Sequence, residues 1–290
     1  MKSLIYALLF TSSVALAQVS TPAAGPLKRH YHDGETITYR MAATNDGRHY
    51  TADATGVVKQ MADGTYVVPF RWTNLTSDGK AVELAPAMLD FREPLSLDPG
   101  WTPSMPDLSK VDPRLIGPVT DLMTFYVDDW LANKVGVLQK AGDHFFMPNP
   151  QASSWADGVH VLVGKSHIDF DLTLKSVDEA THTALLVVHH VPPAHPNIEF
   201  PAAWMQAAAD RPTNWIQVSK TNEGKYEAAV GKETFDVSIT VSTVDGKILS
   251  ATMDNPVVMS GRSCEDAALT KCGEPQQHTI HRQVEIVLQH

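Results

Sequence analysis

Apolar and polar residues alternate along most of the chain, and the alternation is broken by six Asp-Gly dipeptides, at 33–34, 46–47, 63–64, 78–79, 157–158 and 245–246. Asp-Gly between alternating segments is a strong hairpin signal, because a tight turn needs positive φ at its centre. The period of two predicts strands over Thr36–Ala42, His49–Gln60, Thr65–Asn74 and Lys80–Leu84, with a less regular one over Met88–Leu97. It returns at Val159–Val163, His167–Leu174, Thr181–Val191, Trp215–Ser219, Tyr226–Val230, Thr234–Thr243, Lys247–Met253 and His278–Leu288. A short helix is an even alternative for Pro201–Ala209.

The pattern changes once. A proline-dense stretch from Leu97 to Pro118 has no period of its own and reads as a surface connection. It leads into a segment, Pro118–Asn133, where Leu115, Val119, Leu122, Tyr126 and Trp130 recur at helical spacing. Met123, Val127 and Leu131 widen that stripe, while Asp121, Thr124 and Asp128 mark the opposite, wetter face. The expected fold is mainly β: a large curved antiparallel sheet, half-barrel or sandwich-like, with one substantial helix packed on it. Its expected divisions are 18–96 as an N-terminal meander, 97–150 as connection and helix, and 151–290 as a second β region.

Residues 1–17 read as a signal peptide: Lys2, an apolar run from Leu4 to Phe10, and a cleavage site at Ala15-Leu16-Ala17. Export to the periplasm or beyond is expected, with no membrane span. Formal net charge is −10 and becomes −11 once Lys2 is removed, which argues against nucleic acid as a partner. In an oxidising compartment Cys264 and Cys272, the only cysteines, should form a disulfide. The residues between them must double back, since eight residues of straight helix would span about 12 Å.

This pattern of turns, curved sheet and covering helix resembles the exported half-barrels of the lipoprotein-carrier type. The resemblance implies a lipid-like ligand held between sheet and helix, and carries no residue over. The reading it suggests is a binding protein for an apolar small molecule, with Phe125, Tyr126, Trp130, Trp155 and Trp204 as candidate ligand contacts. No catalytic cluster motif is present, so the expectation leans away from an enzyme and names no cofactor.

The rival reading is a metal-dependent hydrolase. If a turn centred on Asp178-Glu179 joins the strands around it, His167 lies across from His190 with Asp169 on the same face. Two imidazoles and a carboxylate suit Zn²⁺ or a similar divalent ion, with Asp171 behind them. The bland alternative is a hydrogen-bonded polar stripe, and a one-residue slip would scatter the trio. A cell-envelope structural or adaptor module is the third reading.

Overall fold

The computed structural model describes residues 25–149, 153–155, 161–206 and 213–289. The expected signal peptide, the Asp157-Gly158 turn and residues 207–209 of the alternative helix lie outside them.

The N-terminal third follows the Asp-Gly punctuation. Strands β1 (Thr36–Asn45), β2 (Arg48–Val57), β3 (Lys59–Gln60), β4 (Tyr66–Ser77) and β5 (Lys80–Ala81) form the meander. Positive φ at Asp46, Gly47, Asp78 and Gly79 makes its turns, the conformation that glycine adopts without strain. The strand expected at Lys80–Leu84 stops early. Pro86 instead opens a single helical turn, α1 (Pro86–Leu89), where its missing N–H costs nothing. Strand β6 (Glu93–Leu95) then caps the edge of β4.

Helix α2 (Ile116–Val135) lies where periodicity places it, and Gly136 ends it with a left-handed φ of 64°. Beyond it come β7 (His144–Met147), β8 (Ser153–Trp155), β9 (Val161–Ser166), β10 (Asp169–Asp178) and β11 (Thr183–Val191). After a short 3₁₀ turn at Ala203–Met205 come β12 (Trp215–Lys220), β13 (Tyr226–Glu233), β14 (Phe235–Ser242), β15 (Ile248–Cys264) and β16 (Gln276–Leu288).

Antiparallel pairing links these sixteen described strands into one open sheet, which forks. Strand β15 is expected to end at Met253 but runs on to Cys264, and it changes partner midway. Its first part pairs with β14 from Ile248 to Asp254, and its second with β13 from Val257 to Cys264. Pro256 sits at the change, where a strand tolerates a residue without an N–H. One arm continues β14–β11–β10–β7 and the other β13–β12–β9–β8, while β16 spans both.

Register and burial together show that the two arms are covered on opposite faces. In the first arm the face bearing Tyr39, Phe70, Leu186, Ile239, Met253 and Ile286 packs on α2. The same face of β15 carries Val257, Met259, Gly261 and Ser263 into the second arm, where α2 does not reach. There the opposite face is covered: Ile216, Val218, Ala228 and Val230 lie beneath Ile198, Met205 and Leu269.

Helix α2 itself is enclosed on nearly every side. Leu122, Phe125 and Tyr126 meet the sheet's core, and Leu27, Leu97, Leu108 and Val111 from the wrapping segments join the same cluster. Burying each such side chain contributes about 1.5–3 kcal/mol, so this layer dominates the stability of the fold.

Candidate functional site

The hairpin β10–β11 fixes the fate of the expected metal trio. Its connection is the four residues 179–182, with His182 at a left-handed φ of 53°, rather than a tight turn on Asp178-Glu179. Asp178 Oδ1 accepts hydrogen bonds from the Ala180 and Thr181 N–H groups and holds the longer loop. The partners are Phe170↔His190 and Asp171↔His189, three residues from the expected register. An odd shift exchanges the faces. His190 therefore points to the α2 side, away from the face that carries Asp169 and Asp171.

His167 and Asp169 are tied to backbone instead. The His167 ring bonds to the Asn149 carbonyl through Nε2, and its Nδ1 accepts the Asn197 N–H at 2.7 Å. Asp169 Oδ1 accepts the Asn149 N–H at 2.9 Å. Among the described residues no group of three His, Cys, Asp or Glu side chains is placed to hold a metal ion. Asp171 bonds to His144, and His189 to Asp236 at 2.6 Å, both on the exposed face.

What His190 does reach is Asp128 on α2. Its Nε2–H donates to both carboxylate oxygens, at 2.7 and 2.8 Å, while Phe170 and Phe235 flank the ring. Asp128 and Asp121, expected on the wet face of the helix, are both fully buried. Helical spacing identifies a polar face, but it does not say whether water or counter-charge meets it. Here counter-charge does: Arg282 Nη1 from β16 lies 3.0 Å from Asp121 Oδ1, and the Tyr50 hydroxyl donates to Oδ2. Glu233 and Asn255 continue this polar seam at the fork, joined at 3.3 Å, and Asn214 accepts the Glu233 N–H at 2.8 Å.

Burial raises the pKa of Asp121 against the pull of Arg282, of Asp128 against His190, and of Glu233 against Arg282 and Asn255. Two further acids have weaker partners. Burial, reinforced by Asp128, pushes Asp129 well above the usual carboxylate range, and burial does the same to Glu93. Glu93 accepts the Trp72 indole N–H at 3.0 Å. Such clusters can be catalytic or structural. Asp121, Asp128 and Glu233 are each engaged by a partner from the sheet, while Glu93 Oε1 and Asp129 Oδ2 are buried with no hydrogen-bond partner among the described residues; enclosed as they are around α2, the paired acids have the geometry of a buttress.

The expected ligand contacts separate in the same way. Phe125 and Tyr126 are wholly buried core. Trp130 is half-buried, its indole N–H donating to the Asp98 carbonyl at 3.0 Å with Lys134 over the ring. Trp204 covers the second arm, with Arg262 stacked on it and its N–H on the Leu269 carbonyl at 3.1 Å. Trp155 ends β8, and its side chain is outside the described residues. Cys264 and Cys272 do lie at bonding distance, S–S 2.01 Å, and the segment between them doubles back as a hairpin.

Among the described residues, open depressions lie on the uncovered faces. One, about 550 Å³, crosses the exposed face of β2, β1, β16, β15 and β14 over Ala42, Thr51 and Thr252, with Asp236 and Asp254 opposed at its end. Another, about 310 Å³, lies on the second arm, on the face that α2 leaves bare, over Ala229 and Gly261. Sequence reasoning missed this groove. Its floor is two small residues on different strands, and only the pairing Gln217↔Ala229↔Gly261↔Gln276 aligns them.

Compared with known proteins, the chain matches no family model, no curated protein and no solved structure.

Proposed function

We propose that this chain is an exported binding protein, acting in the periplasm or outside the cell, whose ligand meets the bare face of the second arm. The observation that carries the reading is the continuity of one sheet face. That face is filled with side chains under α2, then emerges past the fork as a groove of about 310 Å³. Ligand sites are concave and run from about 300 to 1,000 Å³, so the groove suits a small molecule. An apolar ligand between sheet and helix would have to displace Phe125, Tyr126 and Leu122 from full burial. The paired cysteines support an oxidising compartment, and no helix among the described residues is long and apolar enough to cross a membrane.

Gly261→Leu tests the assignment. A Cβ at Gly261 would meet the Ala228 carbonyl and the His278 ring at 3.7 Å, ordinary contact, so the substitution fills the groove without clashing with the sheet. A fragment library screened by ligand-observed NMR should give hits that Gly261→Leu removes while the thermal midpoint stays close to wild type. Hits that survive Gly261→Leu would place the binding surface elsewhere.

A further inference from the structure

We infer that the groove on the second arm takes a neutral, polyhydroxylated ligand of the carbohydrate class; this rests on the groove being the ligand surface, as proposed above. The argument begins with cross-strand rows. The central row, Gln217–Ala229–Gly261–Gln276, sets two primary amides at the ends of a floor made of a methyl group and a bare backbone. Three strand spacings of about 4.8 Å separate the two glutamine backbones. A sugar ring lying flat can cover the two floor strands with an amide at each edge.

The row on one side, Trp215–Gly231–Met259–His278, lines the groove through His278, and the buried cluster of Trp215, Val257 and Met259 lies beyond it. The row on the other side, Ser219–Glu227–Ser263, is polar. The groove therefore has a small-residue floor, His278 on one side, hydroxyl and carboxylate groups on the other, and amides at both ends. An amide offers a carbonyl acceptor and two N–H donors, which matches hydroxyl groups that both give and accept. A sugar has that mixture around its rim and C–H bonds on its faces.

The polar atoms are also unspent. Among the described residues the side chains of Gln217, Gln276, His278 and Ser263 have no hydrogen-bond partner in the protein, and the Ser219 hydroxyl reaches only the Glu227 carbonyl, at 3.5 Å. In the polar seam beneath α2, by contrast, Asp128, Asp121 and Glu233 each have a partner within the protein. Charge argues against an anionic ligand. Arg262, whose backbone borders the groove, sends its guanidinium through to the other face over Trp204, so Glu227 is not answered by a cation aimed at the ligand. A fatty ligand would leave the amides and the carboxylate desolvated and unpaired, which is unfavourable for each such group.

Titration calorimetry on the purified full-length protein, using cellobiose, maltose and chitobiose as probes, tests the class. At least one should bind; Gln217→Ala and Gln276→Ala should each weaken it roughly 3- to 10-fold, the value of one neutral hydrogen bond. Gly261→Leu should abolish binding. Sodium octanoate and spermidine provide the distinguishing arms. If neither sugar series nor variant shows an effect but one of these two binds in a Gly261-dependent way, the carbohydrate class is overturned and the groove assignment stands. If nothing binds in a Gly261-dependent way, both are overturned.

Discussion

Strands β15 and β16 run through both arms of the sheet, yet the two arms use them differently. Near Met253 and Ile286 their inner face is the deepest part of the core, closed by α2. Near Gly261 and Gln276 the same face is bare, and the protein instead closes the reverse side with Trp204, Met205 and the disulfide hairpin. The sheet alone does not determine which face is core; the covering element does. A single helix of twenty residues is too short to cover a sheet this wide. The uncovered remainder is where a ligand has access without disturbing the packing.

The contrast predicts unequal responses to damage. The largest should follow His190→Ala, which strands the buried Asp128 carboxylate: about 3–5 kcal/mol, enough to reduce soluble yield sharply, read by urea denaturation. Replacing both partners, as in His190→Leu with Asp128→Leu, should recover much of that loss. If the single variant is no less stable than the double, the pair does not buttress α2.

Removing the disulfide strikes the other arm. Cys264→Ser with Cys272→Ser should cost about 2–3 kcal/mol on the loop-closure account. Hydrogen exchange should quicken around Ile216, Val218 and Ala228 while the amides under α2 stay protected. Uniform quickening across both arms would show one cooperative unit instead of two unequal ones.

A smaller effect comes from pH. Glu93 and Asp129 have folded pKa values raised by burial, so the folded chain holds protons that the unfolded chain releases. Their contribution is complete below the ordinary carboxylate pKa of about 4 and declines as pH rises through the folded values. The urea midpoint should therefore fall as pH rises above the ordinary carboxylate pKa of about 4, and Glu93→Gln, which keeps an acceptor for the Trp72 indole, should flatten the slope. A slope that is unchanged in Glu93→Gln would remove Glu93 from the account.

Much of this architecture is legible in the sequence, because hairpin turns, alternation and helical spacing are local. Most of the long strands, α2 with its Gly136 stop, and the doubled-back cysteine loop follow from short-range rules, whereas the strand expected over Met88–Leu97 is a helical turn and the short β6, and β7 and β8 have no local signal. Legibility fails where a partner comes from far along the chain. Asp121 and Asp128 look solvated until Arg282 and His190 arrive from β16 and β11. His190 looks like a metal ligand until the 179–182 loop shifts its register. The strand expected to end at Met253 runs on to Cys264, and nothing local shows that β15 exchanges one neighbour for another near Pro256. Gln217, Ala229, Gly261 and Gln276 are unremarkable singly, and only the pairing of four strands makes them a row.

The central claim, that binding belongs to the bare face and not to the layer under α2, is tested most directly by two-dimensional amide NMR of the labelled protein. Titration with cellobiose and, separately, with sodium octanoate should move the backbone signals of Ala229 and Gly261 and the side-chain amides of Gln217 and Gln276 in the sugar series. The signals of Leu122, Phe125 and Tyr126 should stay fixed in both. Octanoate-dependent shifts at those three helix residues, with Ala229 and Gly261 unmoved, would contradict the account.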